Sequence, residues 1–298
     1  MKPSQFFNYL EFERRYSPHT LRAYRQDFTQ FADYLTATYG DVSPKQATHF
    51  HIRSWVVQLM DGGTSARTVN RKLSTLKTYY RFLTKRGERT DDPMVKVRAP
   101  KVGKRLPATV KPTEIEHLLD RIVFPDDFAG RRDRLVVSVL YQTGMRRSEL
   151  ANLRTADLDF LQRQVRVMGK RSKQRLIPFG TELAQELQRY ILERDRQFPE
   201  RPEPELLLVH NDGAPLGDGR IYRIVRKYLG MVTTADQRSP HVLRHSFATH
   251  LSDNGADLNA VKELLGHTNL SATQIYTHNS IDQLRRVYER AHPKAKED

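Results

Sequence analysis

Residues 240–251 read Pro-His-Val-Leu-Arg-His-Ser-Phe-Ala-Thr-His-Leu, and residues 264–278 read Leu-Leu-Gly-His-Thr-Asn-Leu-Ser-Ala-Thr-Gln-Ile-Tyr-Thr-His. The first stretch predicts the start of a helix that carries His241 and Arg244 three residues apart on one face. The second stretch adds His267 and Tyr276. Because imidazole, guanidinium and phenol groups can bind a phosphate and move a proton, the two stretches indicate a catalytic unit in the second half of the chain.

Two further motifs lie upstream of these stretches. The first, Thr143-Gly-Met-Arg-Arg-Ser-Glu-Leu150, places Arg146 just after a glycine that ends a helix predicted from Asp127 to Gln142. The second, Gly169-Lys170, lies in a basic turn between two predicted strands. The strands are expected at 164–168 and 174–177, and further helices at 181–197, 219–229, 242–254 and 257–265. This part of the chain is therefore predicted to be a mixed α/β unit.

Positive charge is concentrated in the first third of the chain. The 298 residues include 50 Lys+Arg and 35 Asp+Glu, a net charge of +15. Residues 1–105 hold 20 Lys/Arg against 9 Asp/Glu, a net of +11, and the remaining residues hold 30 against 26, a net of +4. An excess of this sign indicates a polyanionic partner, most often nucleic acid. A basic surface that only maintains solubility is the alternative.

A basic segment at 98–107 predicts the boundary between two domains. It reads Arg-Ala-Pro-Lys-Val-Gly-Lys-Arg-Leu-Pro and contains no acidic residue. Since proline and glycine disfavour helix, the segment is expected to be an exposed linker between residues 1–97 and 108–298. Its cations Lys101, Lys104 and Arg105 are candidates for contact with DNA phosphates, although a merely solvated linker is an equal alternative.

The domain before the linker is predicted to be helical. Ser17-Pro18 begins a helix whose apolar side chains recur every three or four residues, at Leu21, Tyr24, Phe28, Phe31 and Leu35. A second helix is expected at about 46–60 and a third from Thr64 onward, with Leu73, Leu76, Tyr80 and Leu83 on its apolar face. Four cations on the third helix, Arg67, Arg71, Lys72 and Lys77, are candidates for a DNA-facing surface, and an ordinary solvated helix face is the alternative.

Several classes of protein are excluded or disfavoured. The absence of cysteine excludes a disulfide scaffold, a Cys-ligated zinc finger and a cysteine nucleophile. No signal peptide is recognisable, and no stretch approaches the roughly 18–20 apolar residues that span a bilayer. We therefore expect a cytoplasmic protein with no membrane partner. His241 and His245 have the spacing of a zinc pair, but the adjacent Arg244 disfavours a cation there, so no metal and no cofactor are expected.

The candidate residues share one chemistry. Two arginines suit the oxygens of a phosphate and can stabilise the extra charge of a pentavalent transition state. A tyrosine can act as the covalent nucleophile, a histidine can take its proton, and a lysine can protonate a leaving oxygen. The set predicts transesterification of a phosphodiester through a phosphotyrosine, a reaction that needs no ATP because the energy stays in the covalent bond.

The four motifs, together with Thr20-Leu-Arg-Ala-Tyr24, resemble the tyrosine site-specific recombinases, and within them the bacterial Xer recombinases of the XerC and XerD type. The resemblance covers nearly the whole chain. It implies a two-domain, mainly α protein with an N-terminal helical, SAM-like core-binding domain and a mixed α/β catalytic domain. The two domains would form a C-shaped clamp around duplex DNA.

The resemblance also assigns roles to six residues. Arg146 and Arg244 would bind the scissile phosphate, and Lys170 would protonate the departing 5′ oxygen. His241 would exchange a proton with the tyrosine, and His267 would donate a hydrogen bond to the phosphate. Tyr276 would be the nucleophile, leaving a 3′-phosphotyrosyl bond that a partner strand resolves through a Holliday junction.

Partners and alternatives follow from the same resemblance. It implies chromosome dimer resolution in the bacterial nucleoid, a heterotetramer with a paralogous recombinase on two DNA sites, and the FtsK translocase as partner. A terminal amphipathic helix at about 280–292 would be exchanged between protomers, or would pack on its own domain before DNA binds. A mobile-element integrase, a type IB topoisomerase and a catalytically silent DNA-binding module are the alternative functions.

Overall fold

The computed structural model describes residues 4–103, 108–169, 174–235, 237–266 and 278–295. The chain divides into two compact units, Met1–Arg105 and Leu106–Asp298, and each unit has its own hydrophobic core. None of the helices within the described ranges is long and apolar enough to span a bilayer.

The first unit is helical, as the sequence predicts. Ser17 is the N-cap of its longest helix, because the Ser17 side chain accepts a hydrogen bond of 3.3 Å from the backbone N–H of Thr20, and Pro18 occupies the first turn. The helices of this unit are α1 (Ser4–Asn8, continued by a π-helical turn over Tyr9–Glu13), α2 (Pro18–Tyr39), α3 (His49–Asp61) and α4 (Ala66–Lys85).

Aromatic rings fill the core of the first unit. Phe6, Phe28 and Tyr79 form edge-on and tilted pairs with centroids 4.8 to 6.1 Å apart, and Phe31 packs on Trp55 at 4.9 Å. The apolar faces predicted for the first and third helices are confirmed by burial of their side chains, at Leu21, Phe28, Phe31 and Leu35 of α2 and at Leu73, Leu76, Tyr80 and Leu83 of α4. Tyr24, the remaining position predicted on the face of α2, is partly buried.

The second unit surrounds one central helix with other helices and a small sheet. Its elements are α5 (Pro112–Glu116), α6 (Phe128–Thr143), α7 (Arg147–Ala151), β1 (Leu158–Asp159), β2 (Gln164–Met168), β3 (Gln174–Pro178), α8 (Thr181–Gln197), α9 (Asp218–Val232), α10 (Pro240–Asp253), α11 (Leu258–Leu265) and α12 (His278–Ala291). The strands form an antiparallel sheet in the order β1-β2-β3, with Val167 of β2 opposite Arg175 of β3.

The carboxyl end of the central helix, α6, positions the candidate residue Arg146. Its N-cap, Asp127, accepts a hydrogen bond of 2.7 Å from the backbone of Gly130. Nearly all of its residues are buried, because α8, α9 and α10 pack against it. The helix ends at Gly144, whose φ of 58° is left-handed, and the chain then turns directly into Arg146.

The terminal helix α12 packs on its own unit. Leu284, Tyr288 and Ala291 are buried, and the amide of Asn254 donates a hydrogen bond of 2.7 Å to the carbonyl of Ala291. After the helix, Lys294 adds an ion pair with the same unit, since its ammonium group lies 2.7 Å and 2.8 Å from the two carboxylate oxygens of Asp120. The helix predicted at the terminus is thus present and is docked within the same chain.

Candidate active site

Arg146 is held by the short helix that it caps. Its backbone N–H donates a hydrogen bond of 2.6 Å to Glu149 Oε2, and its Nη1 donates one of 2.8 Å to Glu149 Oε1. Glu149 lies one helical turn after Arg146, so α7 itself places the carboxylate beneath the guanidinium. About 30% of the Arg146 side chain is exposed, which leaves the group accessible from solvent while its direction is fixed.

Arg244 comes from a different helix, α10, and is buried. Its Nη1 donates a hydrogen bond of 2.5 Å to the carbonyl of Gly144, at the end of α6. Its Nη2 donates one of 2.6 Å to the carbonyl of Leu265, at the end of α11. The two candidate arginines therefore converge on the short connection between α6 and α7 and on the end of α11.

The carboxyl end of α11 receives three guanidinium groups on consecutive carbonyls. Arg175 Nε donates to Leu264 O at 2.8 Å, Arg244 Nη2 to Leu265 O, and Arg146 Nη2 to Gly266 O at 3.3 Å. The last carbonyls of a helix lack partners within the helix and carry partial negative charge, so cations are favourable there. The end of α11 thus acts as a common support for the three arginines.

Among the residues that the structure describes, this site holds more positive charge than negative. Glu149 is a carboxylate paired with Arg146 and Arg175, and Arg244 is a third cation whose charge interacts with all three groups. Burial, followed by the charges of Arg146 and Arg175, lowers the pKa of Arg244 to about 10. Burial raises the pKa of Glu149, but hydrogen bonds and charge from Arg175 and then Arg146 outweigh that effect and lower it. The excess charge is suited to an incoming anion.

His241 lies one turn before Arg244 on α10, as the spacing predicts, and its side chain is exposed. His241, Arg244 and His245 line one side of an open pocket of about 290 Å³. An exposed imidazole beside a buried guanidinium can exchange protons with a group that enters the pocket.

The remaining catalytic candidates lie outside the described residues. These are Lys170, His267 and Tyr276, and the linker cations Lys104 and Arg105 lie outside them as well. The strands on either side of Lys170 are described, and their pairing of Met168 with Gln174 agrees with the predicted hairpin. Gly266, the residue before His267, has a left-handed φ of 65° that ends α11.

The candidate DNA-facing cations of the first unit divide into two groups. Arg67, Arg71, Lys77 and Lys101 are exposed. Lys72 is only 5% exposed, which does not favour the expected contact with DNA. Its ammonium group lies 3.2 Å from Asp27 Oδ1 and also contacts Gln30, because a buried carboxylate between α2 and α4 requires a cation.

Two residues of the site, Glu149 and Arg175, are not among the catalytic residues predicted from the sequence. Glu149 is three residues after Arg146, a spacing that could have indicated an ion pair on one helix face. Arg175 lies on β3 and is joined to Glu149 of α7, a contact between two elements that sequence spacing does not reveal. Within the described ranges, no group of three or more histidines and carboxylates is placed to bind a metal ion.

Comparison with known proteins places the chain in a family. The model of the phage integrase family matches residues 109–282, and that of the phage integrase N-terminal SAM-like domain matches residues 4–87. The tyrosine recombinase XerC of Oceanobacillus iheyensis is 37% identical over 97% of this chain and 95% of its own length. The tyrosine recombinase XerD of Staphylococcus aureus is 35% identical over 98% of both chains.

Solved structures of recombinases share the fold. The Tn1549 transposon integrase in complex with transposon right-end DNA has a TM-score of 0.69 at 20% identity, covering 96% of this chain and 99% of its own. The XerH recombinase bound to palindromic difH DNA, in a post-cleavage complex, has a TM-score of 0.69 at 22% identity, covering 93% and 81%. At this level of identity the two structures support the same architecture.

Proposed function

Because this chain belongs to the phage integrase family, as a tyrosine recombinase of the XerC/XerD type, we propose that it cuts and rejoins duplex DNA at a specific site through Tyr276. The observation that carries the proposal is the convergence of Arg146 and Arg244 on adjacent carbonyls at the end of α11. Two guanidiniums held in fixed directions are suited to one phosphate.

The reaction begins when the Tyr276 hydroxyl attacks the scissile phosphorus. A bond forms between the phenol oxygen and phosphorus, and the bond to the 5′ oxygen breaks. His241 accepts the phenol proton, and Lys170 donates a proton to the departing 5′ oxygen. Arg146 and Arg244, with a hydrogen bond from His267, stabilise the charge that develops on the phosphoryl oxygens. Attack by the 5′ hydroxyl of a partner strand then releases Tyr276 and forms a Holliday junction.

The biological task that we propose is chromosome dimer resolution. Similarity to XerC and XerD relatives over nearly the whole chain supports it. The Xer resemblance further leads us to propose a paralogous recombinase as partner in a tetramer on two sites, and FtsK as the translocase that activates it. An enzyme with this task acts in the cytoplasm on the nucleoid. Integration of a mobile element is the second candidate, which the structural likeness to a transposon integrase favours.

A nicked suicide substrate tests the breakage reaction. DNA that the protein selects from a random library supplies the binding site, and a nick beside the cleavage position lets the cut fragment diffuse away. The wild-type protein should become covalently attached to the labelled strand. Tyr276→Phe should abolish attachment without changing the dissociation constant for DNA.

The control for this experiment is Tyr222→Phe, which alters a partly exposed tyrosine of α9 that stacks under Arg147. This variant should still form the adduct. Selected DNA that the wild-type protein binds but never cleaves would identify a silent binding module. Relaxation of supercoiled DNA regardless of sequence would identify a topoisomerase.

A further inference from the structure

Arg175 is a buried cation that the six-residue catalytic set does not include. It lies on β3, and its side chain is 4% exposed. Its Nη1 and Nη2 donate to the two oxygens of Glu149 at 2.9 Å and 2.8 Å, and its Nε donates to Leu264 O at 2.8 Å. A buried guanidinium is tolerated when its charge and donors are matched in this way. The pairing is specific, because a planar fork meets both oxygens of one carboxylate.

The same carboxylate also holds Arg146. Glu149 Oε1 accepts from Arg146 Nη1, and Oε2 accepts from the backbone N–H of Arg146. Arg175 therefore offsets the negative charge of Glu149. Glu149 can then orient the Arg146 guanidinium without neutralising the positive charge of Arg146. If Arg175 were neutral, the full carboxylate charge would fall on Arg146 and draw the guanidinium away from a phosphate.

Arg175 is itself held against the end of α11, and it therefore fixes the side from which Glu149 is bound. Gly266 packs directly on it, since a Cβ added to Gly266 would lie 3.0 Å from Arg175 Cδ. The bond to Leu264 O ties β3 to the end of α11, whose next two carbonyls receive Arg244 and Arg146. One side chain thus joins α7, β3 and α11 at the point where the arginines meet.

We propose that Arg175 is a positioning residue for the cleavage reaction, acting on Arg146 through Glu149. The inference rests on the proposed function, since it concerns the rate at which Tyr276 attacks the phosphate. Misplacement of a catalytic group by about 1 Å lowers a rate by about 100-fold. Arg175→Met is accordingly expected to lower the single-turnover cleavage rate at saturating protein by about 100-fold, with little change in DNA affinity.

The experiment is a double-mutant cycle on the nicked substrate. The cleavage rates of the wild-type protein, Arg175→Met, Glu149→Gln and the double variant are compared at saturation. Because Arg175 acts through Glu149, its replacement should cost much less in the Glu149→Gln background than in the wild-type background. Arg175→Lys should be intermediate, since lysine restores the charge but not the two-pronged contact.

A matched control separates positioning from stability. Arg194 is a buried arginine of the same unit, 1% exposed, whose Nη1 donates to Leu206 O at 3.0 Å and Leu207 O at 2.8 Å. Arg194→Met should lower the unfolding midpoint as Arg175→Met does, yet the folded fraction should cleave at the wild-type rate. If Arg175→Met fails to fold, Arg175→Lys with and without Glu149→Gln completes the cycle.

The outcomes distinguish this inference from the proposed function. A wild-type protein that forms no adduct contradicts the cleavage reaction itself. An active wild-type protein with additive costs for Arg175 and Glu149, or with full activity in Arg175→Met, contradicts the positioning role. Strong non-additivity with unchanged DNA affinity supports it.

Discussion

Gly144 belongs both to the end of α6 and to the candidate active site. It ends α6 with a φ of 58°, and its carbonyl accepts the hydrogen bond from Arg244 Nη1. A Cβ at this position would lie 2.4 Å from Cδ1 of Phe247, so the residue must be glycine for conformational and steric reasons together.

Gly144→Ala is therefore expected to lower both stability and cleavage. The left-handed conformation alone costs about 1–2 kcal/mol for a residue with a Cβ, and the contact with Phe247 adds to that cost. Urea unfolding gives the stability, and the nicked substrate gives the cleavage rate.

Gly255→Ala is the control for this substitution. Gly255 has a φ of 84°, but nothing lies within 4 Å of an added Cβ, so only the conformational cost applies. Equal losses of stability in the two variants would contradict the steric part of the argument, and undiminished cleavage by Gly144→Ala would contradict the role of its carbonyl.

At the scale of elements, the docking of α12 depends on a buried histidine. His292 follows the helix and stacks on Tyr288 at 4.9 Å, with Tyr141 and Phe247 also packed against its ring. Its Nδ1 accepts a hydrogen bond from the backbone of Lys294. Burial, followed by the charges of His250 and Lys294, lowers the pKa of His292 from 6.5 to about 3 against the opposing effect of a backbone hydrogen bond.

The second unit should consequently lose stability as the pH falls below 6.5. In the window between 6.5 and about 3, His292 binds a proton in the unfolded chain but not in the folded one. Stability therefore rises with pH across that window, and about 2 kcal/mol is lost between pH 6.5 and pH 5. Burial lowers the pKa of His250 too, which adds a loss of the same sign.

Chemical unfolding at several pH values, with His292→Phe as the comparison, measures this contribution. Phenylalanine keeps a ring against Tyr288 and removes the titrating group, so the variant should lose about 2 kcal/mol less than the wild-type protein on going from pH 6.5 to pH 5. Parallel pH profiles for the two proteins would contradict the assignment.

The exposed face of α4 is expected to bind DNA phosphates, whereas the buried Lys72 on the same helix is not. Replacing Arg67 and Lys77 with alanine should reduce the slope of log K against log salt by up to about 1.8, since each phosphate contact contributes about 0.9. Lys72→Met should leave the slope unchanged and lower stability by about 1–3 kcal/mol, because Asp27 loses a partner.

Binding titrations over a range of salt concentrations decide this point. Lys45→Ala serves as the control within the first unit, because the Lys45 ammonium pairs with Glu88 at 3.2 Å. A double variant of Arg67 and Lys77 with the wild-type salt slope would show that this face of α4 does not lie on DNA.

Elements with a strong local signal could be predicted from the sequence. Thr181–Gln197 was expected as a helix and is α8, and the segment expected at 242–254 is α10, Pro240–Asp253. The two strands of the hairpin are confirmed, with the second one residue longer. The strand Leu158–Asp159 and the helix Pro112–Glu116 escaped prediction, because two and five residues are too short to show a period.

In the candidate site, too, contacts between residues close in sequence could be predicted and contacts between distant residues could not. The spacing of His241 and Arg244 on one helix face could be read from the sequence, since both belong to one turn. The pairing of Arg175 with Glu149 could not, because it joins residues 26 positions apart on a strand and a helix. The burial of Lys72 could not be read from the sequence either, because its partner, Asp27, is 45 positions away on another helix.

At the scale of the whole molecule, we propose two roles for the charge of +15. The first unit carries most of the excess, and its exposed cations suit a long stretch of DNA backbone. The second unit is nearly balanced in charge, yet three arginines and one glutamate meet at the end of α11. Substitutions of the exposed cations of α4 should therefore change the affinity for DNA. Substitutions of the arginines at the end of α11 should change the cleavage rate.

The most direct test of the central claim is the identity of the amino acid joined to DNA. The adduct from the nicked substrate is digested with protease and nuclease, and mass spectrometry locates the modified residue. We predict a nucleotide attached through its 3′ phosphate to Tyr276, with a free 5′ hydroxyl on the released strand. Attachment to any other residue, or through a 5′ phosphate, would contradict the account.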